Sequence, residues 1–249
     1  MADAVEYDGV SEHALRRLLD VPQLSVHAAL PSTMDLAHEL AADGAPGGTL
    51  VLADQQLAGR GRGGRRWSSE PGGGLWFTLV ERPLDPIALK VLSLRVGLRV
   101  AAALDRYLPT AVQLKWPNDL FVGSGKVAGI LTEVRWKDGR PEWVAIGIGI
   151  NVRPPSLVAG AAALGGCSRV DVLSEVMPAV RGAASAMGNL STAELVAYAS
   201  RDLALGRTAF EPGVGRVAGI DADGHLLIAG ARGTERFASG SLELEDVIA

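Results

Sequence analysis

The sequence predicts an α+β protein in which a mixed or antiparallel sheet with helices is followed by a small C-terminal β-barrel. Three observations predict this class. Apolar residues recur at helical spacing in segments such as 87–108. Between 112 and 152, short apolar runs are separated by tight turns, which favours antiparallel strands. After Gly206 the pattern changes to short strand-like pieces separated by glycine, so we expect two domains, 1–205 and 206–249.

The first elements of the larger domain are a helix and a strand. Residues 32–42 predict a helix, because Ser32 and Asp35 have the spacing of a capping box and Gly44 can end the helix. The short apolar run at 49–53 predicts a strand. A turn-rich, glycine- and arginine-rich segment follows, so the chain leaves the predicted sheet there.

The middle of the chain predicts one long helix between groups of strands. A strand is expected at 75–80, and a largely buried helix at 87–108, ended by Pro109. We expect three or four strands within 112–152, with a turn at 123–125. The strands of this region should therefore form the main antiparallel part of the sheet.

Two further helices are expected before the C-terminal barrel. They cover 171–187, which Pro178 is expected to kink, and 192–205. The residues at 191–194 have the Ser-x-x-Glu pattern of a capping box. The barrel predicted at 206–249 rests on its short apolar runs and glycine-containing turns.

Composition and charge exclude several classes of protein. Lys and Arg number 24 and Asp and Glu 28 among 249 residues, so the net charge of −4 gives no general attraction to nucleic acid or an anionic membrane. The single cysteine, Cys167, excludes an internal disulfide framework and a cysteine-rich zinc site. The acidic segment 1–6 lacks the pattern of a signal peptide, and the apolar stretches are too short to span a membrane. We expect a soluble, cytoplasmic protein.

The loop Gly59–Trp67 is the most unusual segment. Its letters match G-x-G-x-x-G, but no helix pattern follows, which argues against a dinucleotide site, and no Lys-Ser/Thr follows the glycines as in a P-loop. Glycines allow backbone N–H groups to approach an anion, and Arg60, Arg62 and Arg65 supply charged donors. The loop therefore suits a phosphate or a carboxylate, although a solvated basic loop or a nucleic-acid contact explains the same residues.

Polar groups also follow or begin the predicted strands further along the chain. Asn118 and Asp119 follow Pro117, which ends regular strand pairing, although such pairs are commonly turn residues. Lys126 begins an apolar strand, where it is either held rigidly or simply faces solvent. The glycines of 147–151 allow a ligand or a second backbone to come close, and packing alone also explains them.

Taken together and in this order, these segments resemble the biotin protein ligase family. The resemblance covers most of residues 30–152, and the short strand-like pattern of the C-terminal part agrees with it. It implies a class II synthetase-like catalytic domain followed by an SH3-like barrel. The segments that carry it are Ser32-Thr33, Gln56, the Gly59–Trp67 loop, Lys115-Trp116-Pro117-Asn118-Asp119, Lys126-Val127-Ala128-Gly129-Ile130-Leu131-Thr132-Glu133 and Gly147-Ile148-Gly149-Ile150-Asn151.

The resemblance implies biotin as a substrate, ATP and Mg²⁺ as cofactors, and catalytic roles for Lys126, Arg60 and Asp119. Asp119 is also the implied metal ligand. The implied biotin contacts are Ser32, Thr33 and Gln56 with the ureido ring, Arg60, Gly61 and Arg62 in a loop that orders over biotin and its adenylate, and Lys126 and Gly129. The implied ATP contacts are Arg62, Arg65, Trp67 over the adenine, Asn118, Asp119, Lys126 beside the α-phosphate, and Asn151.

The implied partner is the biotin carboxyl carrier protein domain of an acyl-CoA carboxylase, with no nucleic acid or membrane and a monomer or weak homodimer. Only about thirty residues precede the first matching segment, too few for a helix-turn-helix domain, so we expect a ligase without a repressor function. A lipoate- or octanoate-transferring enzyme is the nearest alternative, since that fold is shared. A non-catalytic nucleic-acid-binding module is the alternative of a different class.

Overall fold

A seven-stranded mixed sheet lies at the centre of the protein. The computed structural model describes residues 6–82 and 85–245, so residues 1–5, 83–84 and 246–249 of the two predicted domains lie outside the described residues. The helices are α1 (Glu12–Leu18), α2 (Thr33–Ala42), α3 (Pro86–Lys90), α4 (Leu92–Leu104), α5 (Arg169–Ala184) and α6 (Thr192–Ala199). The strands are β1 (Glu6–Tyr7), β2 (Val10–Ser11), β3 (Leu24–Leu30), β4 (Thr49–Gln56), β5 (Gly74–Glu81), β6 (Gln113–Lys115), β7 (Asp119–Val122), β8 (Gly125–Lys137), β9 (Arg140–Asn151), β10 (Thr208–Glu211), β11 (Gly215–Ile220), β12 (Leu226–Gly230), β13 (Gly233–Phe237) and β14 (Glu243–Leu244).

Strand pairing confirms the predicted mixed or antiparallel sheet. The order is β3-β4-β5-β9-β8-β7-β6, with β3 and β4 parallel and the other neighbours antiparallel. The strands predicted within 112–152 are β6 to β9, and Gly129 of β8 lies opposite Gly149 of β9. Because a slip of one residue would turn every side chain to the opposite face, this register decides which residues of β8 and β9 face a ligand.

The C-terminal region forms a second, antiparallel sheet. Its five strands have the order β13-β12-β11-β10-β14, which confirms the predicted change to short strands after Gly206. The sheet contacts the larger unit through Trp116, whose indole N–H donates to the Gly224 carbonyl at 3.1 Å. The boundary between 205 and 206 stays a prediction.

Helix α2 forms where the sequence predicts it, but its first turn differs. Met34, Ala37 and Ala41 are buried. Ser32 is the residue before the helix, yet its hydroxyl makes no capping hydrogen bond, so the predicted capping box is wrong. Asp35 pairs instead with Arg60 at 3.0 Å, and the Ser32 hydroxyl lies at the wall of a pocket.

The single helix predicted at 87–108 is also wrong. Val91 has non-helical backbone angles (φ −107°, ψ 4°), and it separates α3 from α4. Val91 is fully buried, and a methyl group at Gly224 of the C-terminal sheet would lie 3.1 Å from its side chain, so the break lies where the two units pack. Helix α4 ends at Leu104 and a 3-10 turn continues over Asp105–Tyr107, where Asp105 accepts a hydrogen bond from Val112 N–H at 2.8 Å and pairs with Arg201.

The last two helices confirm the predicted pattern with different ends. Helix α5 contains Pro178 and begins two residues before the predicted start. The capping box at Ser191 and Glu194 is present. Helix α6 ends before the predicted residue 205, because the backbone at 201–203 exchanges hydrogen bonds with Leu114 of β6. Within the described ranges, no helix is long and apolar enough to cross a membrane.

Candidate active site

A pocket lies on the sheet between the start of α2, the Gly59–Trp67 loop and strands β8 and β9. Every residue that the sequence placed in the site lines this pocket, except Asn151. The lining residues that the sequence predicted are Ser32, Thr33, Gln56, Arg60, Gly61, Arg62, Arg65, Trp67, Asn118, Asp119, Lys126 and Gly129.

One end of the pocket carries a connected set of neutral polar groups. Gln56 Oε1 accepts from the Thr33 N–H at 2.9 Å and from the Thr33 hydroxyl at 3.0 Å. Since that hydroxyl proton is used, Thr78 donates to Thr33 Oγ1 at 2.8 Å. Gln56 Nε2 donates to Ser69 Oγ at 3.1 Å. These bonds orient the amide and hydroxyl groups of this end before any ligand arrives.

The buried Ser32 hydroxyl has no hydrogen-bond partner within the described residues. Leaving a buried polar group unpaired costs about 1–3 kcal/mol. A ligand that supplies a donor or an acceptor at this position would remove that cost. The pocket therefore has a place for a polar group that fits between Ser32 and the Thr33–Gln56 pair.

Trp67 forms a wall of the pocket because two positions beside its ring, Gly129 and Gly149, have no side chain. A methyl group at Gly149 would lie 2.4 Å from the Trp67 ring, and one at Gly129 would lie 2.8 Å from it. The ring also meets Trp76 edge-on, with 6.2 Å between ring centroids. The sequence indicated a close approach at the glycines of β9, and the structure shows that the indole of Trp67 makes it.

Lys126 and Asp119 form an ion pair in the centre of the site. The distance between Lys126 Nζ and Asp119 Oδ1 is 2.6 Å, and about a third of the lysine side chain (34%) is exposed. Lys126 Nζ also lies 5.1 Å from the centroid of the Trp67 ring. Asn118 Nδ2 donates to the Ile130 carbonyl at 2.8 Å, which connects β7 to β8 beside this pair. The cation is thus placed by two strands and an aromatic ring.

Arg60, Arg62 and Arg65 of the loop each contact different acceptor groups. Arg60 pairs with Asp35 at 3.0 Å and with Glu133 at 3.1 Å. Arg62 donates to the Gly240 carbonyl at 2.6 Å, and Arg65 to the Ser241 hydroxyl at 2.6 Å. Burial and the neighbouring Arg65 both lower the pKa of Arg62. The loop therefore concentrates positive charge between the pocket and the C-terminal sheet.

Asn151 lies beside the pocket and does not line it. Its buried amide nitrogen donates to the carbonyls of Lys126, at 3.3 Å, and Ala162, at 3.1 Å. It therefore supports the backbone that carries Lys126, and its implied contact with the nucleotide stays a prediction.

Other lining residues were not among the predicted site residues. Thr78 lies in an apolar strand, and only its place opposite Thr33 in the fold reveals it. Strand β5 is buried on both faces, so its sequence has no alternating pattern that would single out Thr78. The further lining residues are Met34, Arg66, Phe77, Ile130, Leu131, Gly147, Ile148 and Gly149.

The pocket residues could bind Mg²⁺ only together with a phosphate ligand that supplies further oxygen atoms to the ion. Asp119 is the one carboxylate that lines the pocket within the described residues, and it already pairs with Lys126. Mg²⁺ usually keeps several waters and takes one or two carboxylates together with substrate phosphates. The cluster Asp221, Asp223 and His225 could also face a metal, but these residues do not line the pocket.

Comparison with known proteins shows that the chain belongs to a protein family. Residues 26–151, about half of the chain, match the model of the "Biotin/lipoate A/B protein ligase family". The chain is 44% identical over 130 residues to the "Bifunctional ligase/repressor BirA" of Bacillus subtilis, covering 52% of this chain and 40% of that protein. It is 39% identical over 136 residues to the "Biotin--[acetyl-CoA-carboxylase] ligase" of Mycobacterium tuberculosis, covering 52% and 49%. The matched regions thus span less than half the length of these two curated relatives.

A solved structure agrees over a larger part of the chain. The solved structure of the biotin protein ligase from Aquifex aeolicus in complex with biotin and ATP superposes with a TM-score of 0.74 at 27% identity. The match covers 90% of this chain and 99% of that one. The likeness therefore extends beyond residues 26–151. Since the family model matches half of the chain and the site has the geometry described above, the chain belongs to the biotin/lipoate A/B protein ligase family.

Proposed function

We propose that this protein is an ATP-dependent biotin protein ligase. It forms biotinyl-5′-AMP from biotin and ATP and then transfers biotin to the ε-amine of a lysine on a biotin carboxyl carrier protein domain. In this proposal residues 1–205 form the catalytic domain and residues 206–249 the small barrel. The solved Aquifex aeolicus relative, which is in complex with biotin and ATP, supports the choice of both ligands.

The observation that carries the proposal is the neutral polar end of the pocket. Ser32 offers an unpaired buried hydroxyl, and Thr33 and Gln56 are already oriented by hydrogen bonds. A ureido ring presents a carbonyl and two N–H groups, so it can satisfy such a set. The aliphatic chain of a lipoyl or octanoyl group would leave the buried Ser32 hydroxyl unpaired, at a cost of about 1–3 kcal/mol.

Lys126 is suited to the first reaction, in which biotin's carboxylate attacks the α-phosphorus of ATP. The carboxylate and the triphosphate repel each other, so a fixed cation beside the developing charge lowers the barrier. Lys126 is held by Asp119 and the Trp67 ring, so it needs little reorganisation to act. Arg60 and Arg62 would add charge from the loop. Mg²⁺ bound to the triphosphate, with Asp119 as its protein ligand, would supply further charge neutralisation.

Asp119 is suited to the second reaction, in which the acceptor lysine must lose a proton. A free lysine has a pKa of about 10.4, so a positioned carboxylate assists the transfer. Asp119 contacts Lys126 in the centre of the pocket, and it is partly exposed. We therefore assign it the role of proton acceptor. The proposal includes a cytoplasmic location, where ATP and acyl-CoA carboxylases meet, and a monomer or weak homodimer.

The test is biotin-dependent exchange of labelled pyrophosphate into ATP, run beside lipoate and octanoate. We expect exchange with biotin alone, reduced at least about a hundredfold in Lys126→Ala, because one preorganised charged group contributes on this scale. Lys137→Ala, a change of a lysine that is 69% exposed at the far end of β8, is the matched control and should exchange normally. Exchange with lipoate alone would assign the protein to the lipoate branch of the family, and no exchange with any acid would refute adenylation.

A further inference from the structure

Two carboxylates outside the pocket lining bind Arg60 of the loop. The guanidinium of Arg60 lies 3.0 Å from Asp35 Oδ1 of α2 and donates to Glu133 Oε2 of β8 at 3.1 Å. Neither carboxylate lines the pocket. Arg62 and Arg65 donate instead to neutral groups of the C-terminal unit. The contacts of Arg60 are therefore an ionic link between the loop and the elements that carry the pocket.

The backbone of the loop forms a small hairpin, so a contact at one residue affects the whole loop. Trp67 N–H donates to the Gly59 carbonyl at 2.9 Å, and Gly61 N–H donates to the Arg65 carbonyl at 2.7 Å. Arg60 lies between these two bonds. A contact that fixes Arg60 therefore also limits how far Trp67, a wall of the pocket, can move.

Glu133 lies on strand β8 just beyond the pocket. Side chains alternate between the two faces of a strand, so Gly129, Leu131 and Glu133 share one face. Gly129 and Leu131 line the pocket, whereas Glu133 does not, and its side chain is 34% exposed. A partly exposed ion pair contributes little by itself, because two long side chains lose freedom when they form it. Glu133 therefore needs a second contact to hold Arg60 in one place.

His38 of α2 supplies that second contact. Its Nε2 lies 3.0 Å from Glu133 Oε2, the same oxygen that accepts from Arg60. The indole N–H of Trp143 donates to His38 Nδ1 at 2.9 Å. Since Nδ1 is the acceptor in that bond, the hydrogen of the ring lies on Nε2 and is donated to Glu133. Trp143 is buried among apolar residues between α2 and the sheet, so its indole is a fixed donor.

We infer that Glu133, oriented by His38, is the positioning residue that anchors the Gly59–Trp67 loop against the pocket through Arg60. The inference rests on the proposed function, because the pocket that the loop covers is the biotin site of that proposal. The chain of contacts runs from the buried indole of Trp143 through His38 and Glu133 to Arg60. Loss of this anchor should weaken biotin binding more than it slows the chemical step.

Limited trypsin digestion without ligand tests the anchor directly, because trypsin cleaves after arginine and the loop contains four. Glu133→Gln keeps the size of the side chain but removes its charge. Cleavage of a transiently opened segment follows the population of the open form, so we expect cleavage within 59–67 to become about three- to tenfold faster. Glu142→Gln is the matched control. Glu142 is also 34% exposed and pairs with Lys137 at the far end of β8, so this variant should be cleaved like the wild type.

Biotin-dependent pyrophosphate exchange gives the second readout. In Glu133→Gln the KM for biotin should rise about three- to tenfold while kcat changes less than about twofold, because Lys126 stays beside the reacting atoms. A loss of stability alone would lower the amount of active enzyme and leave KM unchanged. Asp35→Asn removes the other carboxylate at Arg60 and gives a second measurement in the same direction. Thermal unfolding checks that each variant is folded.

Substitutions of His38 test the role of its Nε2–H group. His38→Leu removes that donor and should also raise the KM for biotin. His38→Gln places an amide nitrogen at the position of Nε2, so it should restore most of the wild-type value. Combined with Glu133→Gln, His38→Leu should add little, since both changes break the same chain of contacts.

Wild-type cleavage and a wild-type KM in Glu133→Gln would overturn the inference, while exchange with biotin still supported the ligase. Full additivity of His38→Leu and Glu133→Gln, without rescue by His38→Gln, would overturn the part assigned to His38. Absence of exchange with any acid in the wild type would refute the proposed function. Faster cleavage of Glu133→Gln in that case would still support the anchor.

Discussion

Substitution of Gly149 by alanine should displace the Trp67 ring and inactivate the site without unfolding the protein. The new methyl carbon would lie 2.4, 2.5 and 2.8 Å from three atoms of the indole. Ordinary contacts between such atoms are about 3.5–4.0 Å, so the ring must move by about 1 Å. Trp76 meets the ring edge-on and is itself buried, which leaves the pocket as the direction of movement.

The expected magnitude follows from that displacement. Overpacking of this kind costs about 1–3 kcal/mol of stability. The larger effect is on activity, because the displaced ring meets Lys126 Nζ, 5.1 Å from its centroid, and misplacement of a reacting group by about 1 Å can reduce a rate about a hundredfold. We therefore expect a modest loss of stability and a loss of exchange activity of about two orders of magnitude.

Urea unfolding and biotin-dependent pyrophosphate exchange measure the two effects separately. Gly97→Ala is the matched control, since Gly97 is also buried but its new methyl group would lie 3.4 Å from Ile130, an ordinary contact. The control should retain both stability and exchange. Wild-type exchange by Gly149→Ala would refute the argument that the glycines of β8 and β9 place Trp67 for the reaction.

Two further changes test charged groups with different roles. Asp119→Asn should slow transfer of biotin to the acceptor lysine at neutral pH by about ten- to a thousandfold, because it removes the assigned proton acceptor. Transfer from preformed biotinyl-5′-AMP measures this step alone. Full transfer activity in the variant would show that Asp119 is not the proton acceptor. Burial raises the pKa of Asp202 from 3.8 to about 6, so the folded state favours the protonated form, and stability is lost as pH rises through the window from about 4 to about 6. Asp202→Asn should therefore remove this pH dependence and stabilise the protein at pH 7 by about 2 kcal/mol. Urea unfolding at several pH values measures both effects, and Asp43→Asn, at an exposed position, is the control. A variant that kept the wild-type pH dependence would contradict the assignment.

Local sequence patterns were sufficient to predict elements that are determined by residues close together in the chain. The Ser191 and Glu194 capping box formed as predicted, because both partners belong to one helical turn. The same spacing at Ser32 and Asp35 failed, since Arg60 pairs with Asp35 from another part of the chain. The predicted helix at 87–108 failed for the same kind of reason. Its break at Val91 lies where the C-terminal sheet packs, and Asp105, just after the last residue of α4, bonds to Val112 and Arg201.

The sequence by itself determined the mixed sheet, the C-terminal change to short strands, the family resemblance and nearly all the residues that line the pocket. These depend on residue type, order and spacing, which can be read along the chain. Only the tertiary structure decided which groups meet: Thr78 with Thr33, Trp67 with Gly129 and Gly149, and Lys115 with the segment at 239–242. Such contacts join residues far apart in sequence, and they depend on strand register and on how the two sheets pack. Neither leaves a periodic signal that a single sequence can reveal.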